Sequence, residues 1–143
     1  MPGPSPKPDS ERRNRTKPTF EWTLLPATGR KGPAPKLPAK TPDRNPWSAT
    51  TKSWWSKLWH TPQATQWRED DDELYRLAWL RERFWLGQAT GTDQNVMLAI
   101  EDRHGLNDKA MMNLRWRIVT EEQITQARER PAADVRRRLR VVG

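Results

Sequence analysis

Cysteine is absent from the 143-residue chain, which excludes a disulfide framework, a thiolate zinc site and a cysteine nucleophile. The chain also lacks the run of about eighteen apolar residues that a membrane span requires, and its N-terminus has no apolar signal segment. We therefore expect a soluble protein that does not enter a membrane. The missing cysteines are compatible with a reducing, intracellular compartment.

Glycine is scarce, and the seven glycines are scattered at turns instead of being gathered into a phosphate-binding loop. The patterns GxxxxGK[ST], GxGxxG, GxSxG and HExxH do not occur. Both histidines, His60 and His104, stand alone, and His104 fits a partner for the negative end of a helix better than a metal ligand. The sequence thus predicts no enzyme, no metal site and no cofactor.

Proline is rare only in the second part of the chain, since eleven of the thirteen prolines precede Trp47. So many prolines cannot sustain a helix or a central strand, and the apolar content is too low to offset the entropy of ordering. We predict that residues 1–46 form a disordered, proline-rich basic arm. Its one apolar island, F-E-W-T-L-L at Phe20 to Leu25, could dock onto the core or onto a partner.

Charge is distributed unevenly as well. Residues 1–46 carry ten Lys or Arg against four Asp or Glu, residues 47–120 carry ten against ten, and residues 121–143 carry six against four. Basic ends that flank a neutral body indicate a polyanionic partner, although a basic arm can also be a solubilising linker. The candidate phosphate contacts are Arg12, Arg13, Arg15, Lys17, Arg30 and Lys31 near one end and Arg136, Arg137, Arg138 and Arg140 near the other.

Tryptophan is abundant, and five of the nine lie between Trp47 and Trp67. Ser48 is a suitable N-cap, and the residues His60 to Pro62 end the helix that it starts. Within that helix Trp55, Leu58 and Trp59 share one face. This short helix is predicted to seed the core, and Pro62 can open a short turn after it. No chemistry is assigned to the tryptophans.

The acidic run Asp70 to Glu73 precedes a helix predicted over residues 71–86, which ends at Gly87. We interpret the run as helix capping, with magnesium binding as the alternative; no phosphate-binding or base motif accompanies it. This helix is apolar on three sides, and only Arg76 and Arg83 mark a hydrated strip. Such a helix needs more than one neighbour, and another subunit could supply one.

Two more helices follow. Thr92 or Asp93 is predicted to cap a helix that stops at Gly105, and Asn107 to cap a helix that continues to Val119. The residues Thr120 to Gln123 are either a capping box that opens a new helix or a polar turn within one long helix. After Pro131, basic residues alternate with apolar ones in a C-terminal amphipathic segment.

These patterns predict an all-α fold with about four to five helices. The divisions are the arm at residues 1–46, a helical core and oligomerisation domain at residues 47–119, and a C-terminal basic helical tail at residues 120–143.

A longer pattern carries a family resemblance. The run N-P-W-S-A-T-T-K-S-W-W-S-K-L-W-H-T-P-Q-A-T-Q-W is followed by D-E-L-Y-R-L-A-W-L-R-E-R-F-W and then by H-G-L-N-D-K-A-M-M-N-L-R-W. Over about residues 40–119 this order resembles the small terminase subunit of tailed phages that infect actinobacteria. The tryptophan run that ends in P-Q-A is the most specific part of the resemblance.

The resemblance implies a non-enzymatic protein that forms ring-shaped homo-oligomers in the host cell cytoplasm. It implies binding of double-stranded viral DNA at the packaging-initiation site and presentation of that DNA to the large terminase subunit, which holds the ATPase and nuclease. Under this hypothesis the arginines at residues 136–140 are either a second DNA patch or a dock for the large subunit. Repetition around a ring would strengthen weak DNA contacts through multivalency.

Two other classes compete with this reading. A structural or scaffolding virion protein would bind nucleic acid without selecting a site. A helix-turn-helix regulator would need a recognition helix, and the Ser48 to Trp59 helix with Lys52 and Lys57 is the candidate. Its aromatic content argues against that role.

Overall fold

The computed structural model describes Gly3 and residues 21–129. In chain order the elements are strand β1 (Thr23–Pro26), helix α1 (Ala49–Leu58), a 3-10 turn (Gln63–Gln66), helices α2 (Asp72–Trp85), α3 (Gly91–Arg103) and α4 (Asp108–Leu114), and strand β2 (Trp116–Val119). Residues 121–129 form a further helix, α5. The prediction of a mostly helical, compact domain is confirmed, with one small sheet added.

Helix α1 begins and ends where its sequence signals lie. The Ser48 hydroxyl accepts a hydrogen bond from the Thr51 amide, and the helix stops at Leu58. Trp55, Leu58 and Trp59 are buried as predicted. Trp59 then contacts Trp67 edge to face with 5.5 Å between ring centroids. The five tryptophans from Trp47 to Trp67 therefore lie in the core or pack against it, as the sequence indicates.

Helices α2 and α3 form an antiparallel hairpin. Asp71 caps α2 by accepting from the Glu73 amide, which confirms the capping interpretation of the acidic run. The predicted cap of α3 at Thr92 or Asp93 is wrong, because Thr90 caps the helix instead. Thr90 and Asp93 exchange side-chain and backbone hydrogen bonds, and this reciprocal capping box requires a spacing of three residues.

The helix predicted from Asn107 to Val119 is also too long. It ends at Leu114, and Arg115 adopts the left-handed conformation with φ 59°. Residues 116–119 form β2, which pairs parallel to β1 and places Leu25 opposite Ile118. The strand depends on a partner about ninety positions earlier in the chain, which local helical periodicity does not reveal. Thr120 and Gln123 then form the capping box that opens α5, confirming one of the two predicted alternatives.

Residues 21–46 pack onto the helices, so the expectation of an arm without structure over residues 1–46 does not hold for this part. Leu25 is fully buried. The indole nitrogens of Trp55 and Trp47 donate to the carbonyl oxygens of Pro35 at 2.7 Å and Pro38 at 2.8 Å. An extended proline-rich chain leaves its carbonyls free to accept, and buried indoles need such acceptors. The arm prediction for residues 4–20 lies outside the described residues.

Candidate nucleic-acid interface

The turn that carries Arg30 and Lys31 is fixed against the end of α1. Gly29 has φ +79°, and a side chain there would collide with the carbonyl oxygen of His60. The Arg30 amide donates to the Thr61 carbonyl oxygen at 3.2 Å. The backbone of the two predicted DNA-contacting residues is therefore anchored to the body of the protein.

The two side chains of this turn differ in their surroundings. The guanidinium of Arg30 lies 2.6 Å from a Glu69 carboxylate oxygen, donates to the Pro33 carbonyl and stacks over Trp59 at 5.2 Å. Lys31 is 85% exposed, and its ammonium lies 3.9 Å from Glu121. Arg30 thus serves the packing of the turn, whereas Lys31 is accessible to a partner.

An open depression of about 480 Å³ lies beside this turn. Its lining places Arg30 and Lys31 together with Glu69 and Glu121. Two cations balanced by two carboxylates do not select an anion, so the depression by itself is not a phosphate pocket.

The two arginines predicted to mark the hydrated strip of α2 differ. Arg83 lies 3.3 Å from an Asp93 carboxylate oxygen and donates to the Gln88 carbonyl, so it stabilises the α2–α3 hairpin. Arg76 is exposed. The remaining candidates lie outside the described residues: Arg12, Arg13, Arg15, Lys17, Arg136, Arg137, Arg138 and Arg140.

The charges of the folded body are segregated along the chain. Residues 30–67, here called the basic segment, contain seven Lys or Arg and one acid, Asp43. Residues 68–108, the acidic segment, contain five Lys or Arg against ten Asp or Glu. A count over residues 47–120 hides this division because the two parts cancel. The uneven charge is visible in the sequence when the charged residues are counted over these shorter ranges.

The acidic segment contains a cluster of Asp71, Glu73 and His104, whose possible ligand atoms all lie within 4.8 Å of one another. His104 lies at the end of α3, as predicted; it is buried, and its Nε2 lies 2.8 Å from Asp71. Glu73 receives two hydrogen-bonding contacts from Arg103, both at 2.9 Å. Every group thus already has a protein partner, and a metal ion would have to displace these bonds.

The N-terminal end of α1 is occupied by a protein carboxylate. Glu82 of α2 is 2% exposed and accepts from the amide and hydroxyl of Ser48, at 3.0 and 2.8 Å, and from the hydroxyl of Thr51. Burial opposes ionisation of Glu82, but these donors hold its pKa below the usual glutamate range. Because the anion-binding end of the helix is filled, a phosphate cannot use it.

Comparison with models of known families assigns the chain to a protein family. A family model described as phage terminase small subunit matches residues 1–141. The chain belongs to the phage terminase small subunit family. Small terminases in general are non-catalytic and have DNA and a large terminase subunit as partners. Comparisons with curated proteins and with solved structures give no match.

A search of the described residues for a membrane-crossing helix found none of sufficient length and apolar character. In the described part of the chain, free cations are concentrated in the basic segment.

Proposed function

We propose that the protein is a small terminase subunit that binds double-stranded viral DNA at the packaging-initiation site and presents it to the large terminase subunit. It does so without enzymatic activity, in the host cell cytoplasm, and the sequence resemblance supports an actinobacterial host. The family match over residues 1–141 carries this proposal.

The basic ends of the chain supply the DNA contacts in this proposal. A flexible or extended cationic segment binds phosphates through counterion release and does not read bases. Lys31 is a stronger candidate than Arg30, because Arg30 is already held by Glu69. The other proposed contacts are Arg12, Arg13, Arg15, Lys17, Arg136, Arg137, Arg138 and Arg140.

Assembly into a homo-oligomer, proposed to be a ring, is supported by the tip of the α2–α3 hairpin. Phe84, Trp85 and Leu86 are consecutive and each more than half exposed. Half exposure of a large aromatic side chain leaves roughly 100 Å² of apolar surface. Contiguous apolar surface of a few hundred Å² marks interaction sites in soluble proteins. A second copy that covers this tip would supply the extra neighbour that α2 was predicted to need.

The proposal is tested with the purified full chain. Native mass spectrometry at micromolar concentration should show a closed oligomer, and fluorescence anisotropy should show binding to duplex DNA in low salt. A competition at physiological salt should favour a packaging-site fragment over random DNA of equal length. A monomer that ignores duplex DNA would contradict the proposal, and equal competition would favour the scaffolding function.

A further inference from the structure

We propose that the folded body itself carries a second duplex-DNA surface, formed by the exposed side of α1 and the proline-rich segment that packs on it. We call it the basic face; its cations are Lys36, Lys40, Arg44, Lys52 and Lys57. The inference rests on the proposed function, since DNA is taken as the partner. It adds a site within the folded residues to the contacts proposed for the chain ends.

Helix α1 separates its aromatic and cationic residues onto opposite sides. Thr51, Trp55 and Leu58 face the core and are buried. The tryptophans that argued against a nucleic-acid role are therefore used in packing. The outward side of the helix carries two lysines and two hydroxyls: Lys52, Ser53, Ser56 and Lys57.

The proline-rich segment adds further exposed cations to the same packed unit. Hydrogen bonds from Trp55 to Pro35 and from Trp47 to Pro38 hold the segment against the helices, with Lys36 next to the first contact and Lys40 two residues after the second. The turn at Thr41–Asn45 then leads into the cap of α1, and it carries Arg44. All five cations thus belong to one packed unit and are exposed.

The cations of the basic face are free within residues 21–129. None of the five has an ion pair or a side-chain hydrogen bond to a described residue. In contrast Arg68, Arg83 and Arg103, in the acidic segment, each lie within 3.3 Å of a carboxylate oxygen. A phosphate that binds the basic face therefore has no partner within residues 21–129 to displace.

The chemistry of the face fits a DNA backbone. No acidic residue occurs between Arg44 and Trp67, and Asp43 is the one acid of the basic segment. Lysine ammonium groups and serine hydroxyls are typical phosphate contacts, which position a protein on the duplex without reading its sequence. The face would thus strengthen binding, while site selection would come from another part of the assembly.

The test compares two variants of the full chain with equal loss of charge. Lys52→Gln/Lys57→Gln removes two cations from the basic face, and Arg68→Gln/Lys109→Gln removes two exposed cations elsewhere. Affinity for a random-sequence duplex is measured by anisotropy over a range of salt concentrations. If each lysine neutralises one phosphate, the plot of log affinity against log salt becomes shallower in the first variant. The magnitude of its negative slope decreases by about 1.8 per protomer. At about 0.1 M salt its affinity falls by about tenfold or more.

The control variant should keep the slope and affinity of the wild type, and both variants should keep the wild-type melting temperature. Equal losses in the two variants would indicate a general charge effect and overturn the proposal, as would a wild-type slope in the Lys52/Lys57 variant. Loss of large-subunit binding with DNA binding intact would reassign the face to a protein partner. Failure of the wild type to bind DNA would instead contradict the proposed function.

Discussion

The basic and acidic segments of the folded body use their charges for different purposes. In the acidic segment, Asp71 caps α2, the Asp93 carboxylate accepts from the Thr90 amide at the start of α3, and Glu73 binds Arg103. In the basic segment, most cations have no partner within the described residues. Charges that are paired internally stabilise the fold, whereas unpaired charges of one sign create a field for a ligand. The net charge of a region therefore predicts a ligand-binding surface less well than the pattern of paired and unpaired charges within it.

The largest loss of stability is expected from a truncation that extends from residues 1–20 into residues 21–46. Removal of residues 1–20 should leave the melting temperature unchanged and weaken DNA binding, because it removes five cations and keeps every contact described within residues 21–129. Removal of residues 1–46 should abolish cooperative unfolding, because it takes away buried Leu25 and the carbonyl acceptors of two indoles. Thermal unfolding monitored by circular dichroism compares the two. Equal melting temperatures would show that residues 21–46 do not stabilise the body.

Trp59 lies at the centre of the basic segment, where it is fully buried and contacts both Arg30 and Trp67. The substitution Trp59→Ala should reduce the free energy of unfolding by about 3–5 kcal/mol through loss of apolar burial and a residual cavity. Urea denaturation measures the change. The control variant Leu98→Ala, at a residue that is 56% exposed and outside the hairpin tip, should cost less than about 1 kcal/mol in the same assay. Similar costs for the two would contradict the assigned core.

Glu82 is the carboxylate of the acidic segment that caps a helix of the basic segment. Glu82→Ala should destabilise the protein by about 2–4 kcal/mol, because Ser48 and Thr51 lose their buried acceptor. The pKa of Glu82 in the folded protein is below its ordinary value of 4.5. Its stabilisation is therefore complete above pH 4.5 and is lost as the pH falls through the lower folded-state pKa. Glu82→Gln should show a weaker loss of stability over this acid range than the wild type in urea denaturation; an identical acid dependence would contradict the role.

The hairpin tip should affect assembly more than folding. Trp85→Glu places a charge in the apolar patch, and we expect at least about a tenfold rise in the dissociation constant between protomers. Sedimentation velocity or native mass spectrometry measures the shift. Gln88→Glu adds the same charge nearby on an already polar residue and should preserve the oligomer. An unchanged oligomer in the Trp85 variant would place the interface elsewhere.

Local signals predicted much of this fold because each acts over a few residues. Ser48 was identified as the cap of α1 from its position, the acidic run Asp70 to Glu73 as capping α2, and Gly87 as the end of α2. The pairing of β1 with β2 was not predictable in this way, since Leu25 and Ile118 are far apart in sequence. The cap that Glu82 provides is equally non-local, because its partners lie on another helix.

The candidate site was predicted only in part for a related physical reason. Arg30 and Lys31 are adjacent and chemically similar, and only the tertiary position of Glu69 separates their roles. Lys52 and Lys57 were discounted because tryptophans surround them in sequence, but the helix turns those tryptophans toward the core. Which cations are free thus depends on the packed structure, even though the uneven charge of the two segments was visible in the sequence.

Lysine protection tests the assignment of the basic face most directly. The full chain is acetylated with and without duplex DNA at low salt, and the modification of each lysine is quantified by mass spectrometry. We predict strong protection of Lys36, Lys40, Lys52 and Lys57, with Lys109 on α4 modified equally in both samples. Protection of Lys109 to the same extent, or unchanged modification of the four lysines in a sample that binds DNA, would contradict the account.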